Sequence, residues 1–292
     1  MASTPARPCI IWFRDDLRLS DHPALHAAAS TGAPVICLYV FDEVSGALRP
    51  PQVRPLGGAA RWWLAQSLRA LQEDLKRVGS SLLLRKGPAA QIIAELARET
   101  HAAVVFWNEI AQAPHQAVAD QVAAALGEIG AIPQAFAGDL LASPAAIRTK
   151  DGRGLRVFTP FWRRVLTSGD PAKPLPAPER LRLGPSFSGD TVERWRLEPA
   201  HPDWATGLRE SWKPGEISAR TRLGAFVENG MAGYAGERDR PDHDGTSKLS
   251  PHLRFGEISP RQVWHAARFA ADQRPELAGN IDKFLSVCPG RS

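Results

Sequence analysis

Gly245 to Ser250 reads G-T-S-K-L-S, a glycine followed by hydroxyls and a cation. Gly245 lets the backbone turn and approach a ligand closely. Thr246, Ser247 and Ser250 offer hydroxyls, Lys248 offers a positive charge, and Leu249 is the one apolar member. Pro251 suits a first helical turn, so the hydroxyls and free amides fall where a helix begins, a place that favours phosphate. Taken alone, the hexapeptide is better explained as a Ser/Thr-rich helix cap with a solvated lysine. No nucleophile stands beside a base, no Gly-rich nucleotide fingerprint occurs, and no catalytic residue is assigned.

The cradle must be held by a sizeable scaffold. The chain has 292 residues, 43% hydrophobic and 23% charged, which suits a globular protein with room for two domains. No apolar run is long enough to cross a bilayer. The opening M-A-S-T-P-A-R-P lacks a signal-peptide core, so a cytoplasmic protein is expected. Cys9, Cys37 and Cys288 show neither metal-ligand spacing nor a disulfide framework. A net charge of +5 permits attraction to nucleic acid, although a G+C-rich genome would give the same arginine excess.

Short apolar runs at Pro8–Phe13, Ala33–Phe41, Ser81–Arg85, Ala102–Trp107 and Ile132–Phe136 read as strands. Helical patterns separate them. Asp21 is placed to cap Ala24–Ser30. Leu64, Leu68, Leu71, Leu75 and Val78 form one stripe from Gly58 to Val78, closed by Gly79. Pro88–Arg98 and Ala113–Ile129 complete the set. Runs apolar on both faces, with short links, predict an α/β fold with a doubly wound parallel sheet. The loop after the first strand, W-F-R-D-D-L-R-L-S-D-H-P (Trp12 to Pro23), lies where such folds bind ligands. By residue type, Arg14, Asp15, Asp16 and Arg18 read as a self-paired ionic loop. A Pro-rich connector follows, with its densest run at Pro171–Pro178. Beyond it, Leu223, Phe226 and Val227 share one helical face, and Ser259 caps a helix with Pro260 at its first position. Trp264 and Phe269 of that helix are expected in the core.

Four stretches carry a family resemblance. Y-A-G-E-R-D-R-P-D-H-D-G-T-S-K-L-S-P-H-L-R-F-G-E-I-S-P-R-Q-V-W, from Tyr234 to Trp264, closely resembles the flavin-binding signature of the DNA photolyase and cryptochrome family, class I type. The first-strand loop resembles that family's W-F-R-x-D-L-R opening. V-F-T-P-F-W-R resembles the segment that begins its connection between domains, and W-x-P-G-E (Trp212 to Glu216), where the helical region starts, also resembles the family. The resemblance implies FAD, folded into a U shape, held by Tyr234, Thr246, Ser247, Lys248, Leu249 and Ser250, with Arg238 meeting DNA. It implies light-driven electron-transfer repair of cyclobutane pyrimidine dimers, with dimer-containing DNA as partner and a monomeric protein. A cryptochrome-like blue-light photoreceptor, an inactive remnant and a small-nucleotide binder are the rivals. A second antenna chromophore, folate or another, is left open. Trp107–His115 replaces a Tyr-Glu pair of the family by Ala111 and Gln112, leaving Asn108 and Glu109 as polar groups of what reads as a solvated loop.

The resemblance stops at Val287, where the family has a flavin-contacting Glu, and V-C-P-G-R-S follows. A frameshift or truncated gene model is the expectation there, with a genuine short variant as the alternative. The expected organisation is an α/β antenna-type domain at 7–140, a connector at 141–210, an incomplete all-α FAD-binding domain at 211–286 and an aberrant tail at 287–292. The remnant is expected to be loose, aggregation-prone, or held by packing on the first half.

Overall fold

The computed structural model describes residues 6–138, 140–141, 147–148, 153, 155 and 157–287. Cys288 and the remainder of the tail lie outside the described residues, as does most of the run from 142 to 156.

Five parallel strands form one sheet: β1 Cys9–Phe13, β2 Val35–Phe41, β3 Leu82–Lys86, β4 Val104–Asn108 and β5 Ile132–Phe136, in the order β3-β2-β1-β4-β5. Four helices link them: α1 Pro23–Ser30, α2 Gly58–Arg77, α3 Ala89–Thr100 and α4 Ala113–Glu128. The strands alternate side chains between two apolar layers. Ile11, Phe13, Cys37 and Tyr39 pack with α1 and α2, while Ile10, Trp12, Leu38 and Trp107 pack with α3 and α4. This is the doubly wound α/β arrangement that the apolar runs predict.

Asp21 does not cap α1. His22 does, its Nδ1 accepting from the amide of Leu25 at 3.0 Å. Asp21 instead takes a left-handed backbone, φ 52°, which an aspartate tolerates better than a branched residue, and turns its carboxylate away from the helix.

The connector is more structured than its prolines suggest. α5 (Phe158–Thr167) leads it, and Trp162 meets Trp264 edge-to-face at 5.9 Å. The chain then runs along the β3 side of the sheet. Val35 N donates to Arg182 O at 2.8 Å, and Asp190 N donates to Leu84 O at 2.9 Å, so exposed strand groups find partners. Trp195 stacks on Phe41 at 5.3 Å.

The helical part comprises α6 Thr206–Ser211, α7 Glu216–Ala225, α8 Tyr234–Glu237, α9 Ser250–Arg254, α10 Pro260–Gln273 and α11 Ala278–Val287. It has its own core, with Leu223, Phe226, Met231, Trp264, Ile281 and Phe284 buried together. Of the two aromatics expected inside, Trp264 is buried, whereas Phe269 is 67% exposed on the outer face of α10. α10 carries the full capping box, Ser259 Oγ accepting from Gln262 N and Gln262 Oε1 from Ser259 N. No described helix is long and apolar enough to cross a membrane.

Candidate functional site

The residues of the sequence-predicted cradle come together, in two layers. Tyr234 and Leu249 are buried in the helical core. The Tyr234 ring meets Phe284 edge-to-face at 5.3 Å and Phe226 at 5.7 Å. Thr246 and Lys248 are exposed, and Ser247 and Ser250 half-buried. Among the described residues, no hydrogen bond engages the Thr246 or Ser250 hydroxyl. Ser247 Oγ accepts from Leu249 N at 3.4 Å. The Lys248 ammonium pairs with Asp244 at 2.7 Å.

Gly245 explains how the loop reaches α8. A Cβ there would lie 2.6 Å from Glu237 Cβ and 2.9 Å from the Glu237 carbonyl. The loop therefore packs backbone-to-backbone against the helix that carries Tyr234 and Arg238. α11 steadies that helix from the other side: Asn280 Oδ1 accepts from Ala235 N at 2.8 Å, and Asn280 Nδ2 donates to Ala232 O at 3.0 Å.

Arg238 spans the edge of the cradle. Its guanidinium sits 5.7 Å from the Tyr234 ring centroid, and Nε donates to Asp239 at 3.1 Å. The hydrogen bond with Asp239 chiefly raises its pKa, with Tyr234 adding to the effect.

The first-strand loop does more than pair with itself. Asp16 does bond inward, accepting from Arg14 N at 2.7 Å and meeting His22 Nε2 at 3.0 Å. Burial is the largest influence and would raise the Asp16 pKa, but His22, the Arg14 amide and Arg18 together bring the net direction down. Arg18, however, donates to Gly256 O at 3.0 Å, Leu17 N to Phe255 O at 3.1 Å, and Arg254 pairs with Asp15 at 2.5 Å. The 254–257 turn thus packs onto the loop at the carboxyl end of β1, the side of the sheet where doubly wound folds bind ligands. The loop after β4 is not solvated at Asn108, which is buried. Asn108 Oδ1 accepts from Ala24 N at 3.1 Å, and Nδ2 donates to Asp16 at 2.9 Å, so its amide is engaged internally. Glu109 is exposed.

Residue-type reasoning missed the acids that join the two parts. Glu216 accepts from Leu19 N at 2.6 Å and from Ser20 N at 3.2 Å. Glu257 accepts from Ser67 Oγ at 2.6 Å, Gly215 N at 2.7 Å and Trp63 Nε1 at 3.2 Å. Both follow a glycine directly, in P-G-E and F-G-E. An acid fixed behind a glycine in an otherwise apolar motif was the available signal.

Comparison with known proteins agrees with this architecture. A family model described as DNA photolyase matches residues 9–179. A deoxyribodipyrimidine photo-lyase of Agrobacterium fabrum is 40% identical over 267 residues, covering 91% of this chain and 54% of that protein. Cryptochrome-1 of Arabidopsis thaliana is 34% identical over 269 residues, covering 89% of this chain and 37% of that protein. The crystal structure of a bacterial class III photolyase from Agrobacterium tumefaciens superposes with a TM-score of 0.91 at 38% identity, over 98% of this chain and 58% of that one. The chain spans about half the length of these relatives or less. With the family model covering most of the chain and the fold shared almost throughout, this protein belongs to the DNA photolyase family.

Proposed function

We propose that the chain binds FAD in the 234–250 cradle and serves the light-driven repair of cyclobutane pyrimidine dimers in DNA. The observation that carries the reading is the donor set. The Thr246 and Ser250 hydroxyls are unengaged among the described residues, Lys248 is exposed in the same turn, and Gly245 lets the loop pack against Glu237 on the helix that begins at Tyr234. Hydroxyls, a cation and turn amides suit a pyrophosphate, so the residues present fit a dinucleotide. Lys248, at φ 54°, holds the left-handed turn that aims this segment. Its ion pair with Asp244 is exposed and weak, free to exchange for a phosphate.

Bound FAD would supply the light-driven electron transfer; the chain's own task is binding and orientation. Tyr234 and Leu249 give the cradle a fixed apolar floor. Arg238, its guanidinium at the edge of the cradle 5.7 Å from the Tyr234 ring centroid, suits contact with a DNA phosphate or with a nucleotide turned out of the duplex. No acid, base or nucleophile is needed for this chemistry. The motifs quoted for the class I pattern also stand in a chain 38% identical to a class III enzyme. They therefore mark the family rather than the class.

The identity with a plant cryptochrome supports one other reading, a blue-light photoreceptor using the same cradle. A repair assay separates them. The chain is loaded with FAD, mixed with an oligonucleotide carrying one cyclobutane dimer, and exposed to blue light under reducing conditions. Repair that needs both light and flavin is expected. Flavin retained with no repair would favour the photoreceptor.

A further inference from the structure

The cradle runs directly into α9, Ser250–Arg254, a helix of 5 residues. So short a helix cannot hold its own orientation. What holds it is buried. His252 and Glu257 are 1% and 0% exposed, and His252 Nδ1 lies 2.5 Å from Glu257 Oε2. Facing a carboxylate, Nδ1 must be the nitrogen that carries hydrogen. The other oxygen of Glu257 collects Ser67 Oγ, Gly215 N and Trp63 Nε1. One carboxylate thus joins α2 of the α/β part, the residue that caps α7, and the helix leaving the cradle. The His252 ring also meets Trp63 edge-to-face at 5.1 Å.

We infer that Glu257 and His252 are positioning residues for the flavin cradle, setting the direction of Ser247–Ser250 from α2 of the opposite part. The inference rests on the flavin reading above for its ligand, but its geometry stands apart from it. Every hydrogen bond to Glu257 comes from a donor. The near-isosteric Glu257→Gln must therefore turn an N–H toward a donor on one side.

The test uses the full chain and two readouts. Hydrogen exchange is followed across residues 245–254 without flavin, and FAD affinity is measured below the unfolding range. Glu257→Gln and His252→Phe are expected to speed exchange there and to weaken FAD about tenfold, the loss of a charge-assisted hydrogen bond. His252→Asn, which keeps a donor near Nδ1, should recover most of the wild-type affinity. Leu126→Ala, buried with α3 on the far layer of the sheet, should lower thermal stability without changing either readout. Unchanged exchange in Glu257→Gln and His252→Phe, or an equal increase in Leu126→Ala, would overturn the inference. A wild-type chain that retains no FAD would refute the flavin reading, and the exchange data would still decide the positioning role.

Discussion

Arg261 Nε donates to the wholly buried carboxylate of Asp21 at 3.0 Å, across 240 residues of chain. Asp21 also bonds Ser259 Oγ and accepts from Leu175 N at 3.1 Å. The first-strand loop, the connector and the start of α10 therefore converge on one side chain. Together with Glu216 and Glu257 it forms a buried polar seam between the α/β part and the helical part. The cradle hangs from that seam.

Removing one partner of a buried pair leaves the other uncompensated. Asp21→Ala should therefore cost about 3 kcal/mol. Urea denaturation followed by circular dichroism measures it. A loss below about 1 kcal/mol would mean that the seam is not what joins the two parts.

Gly256 offers a second test. Its φ is 63°, and a Cβ would collide with Asp15 O and Asp16 Cα. Gly256→Ala is expected to destabilise by at least about 2 kcal/mol. Gly127, inside α4 with open space around it, is the control. Gly127→Ala should stabilise by about 0.5–1 kcal/mol. Thermal melts of the two variants should move in opposite directions.

The pH dependence follows from Glu216. Burial raises its pKa above the ordinary 4.5, despite the opposing amides of Leu19 and Ser20. The folded protein then holds a proton that the unfolded chain has released between 4.5 and the raised value. This group's contribution to stability consequently grows as pH falls through that window and is least above it. Measured by urea titration, wild type should gain stability relative to Glu216→Gln as pH is lowered from neutrality toward 4.5. A stability difference, wild type minus variant, that falls over that range would contradict the assignment.

The sheet was legible because its strands are apolar on both faces and its helices carry regular stripes; all five strands lie within a few residues of their apolar runs. The turn of the cradle was legible because Gly245 and Pro251 each mark a local backbone need, whereas the left-handed backbone of Lys248 was not. The seam was not. Asp21 reads locally as a helix cap, nothing in the local pattern marks Glu216 or Glu257 as buried, and only long-range folding pairs Glu216 with Leu19, 197 residues away. Phe269 failed for the opposite reason. It follows Trp264 along an apolar pattern, yet the buried face of α10 runs through Val263, Trp264, Ala267 and Ala270 and leaves Phe269 outside.

Gly245 is the tightest point of the cradle. Gly245→Val would push the loop off Glu237. Flavin affinity should fall at least about tenfold, while the circular-dichroism spectrum keeps its α/β character. Affinity equal to wild type would show that the close approach of loop and α8 does not shape the site.

The most direct measurement is flavin retention. The purified 292-residue chain is mixed with FAD, freed of excess by gel filtration, and its visible absorbance recorded beside that of Lys248→Glu. The account predicts a retained, stoichiometric flavin band in the wild type that is much reduced in Lys248→Glu. A folded wild-type chain with no band would contradict it.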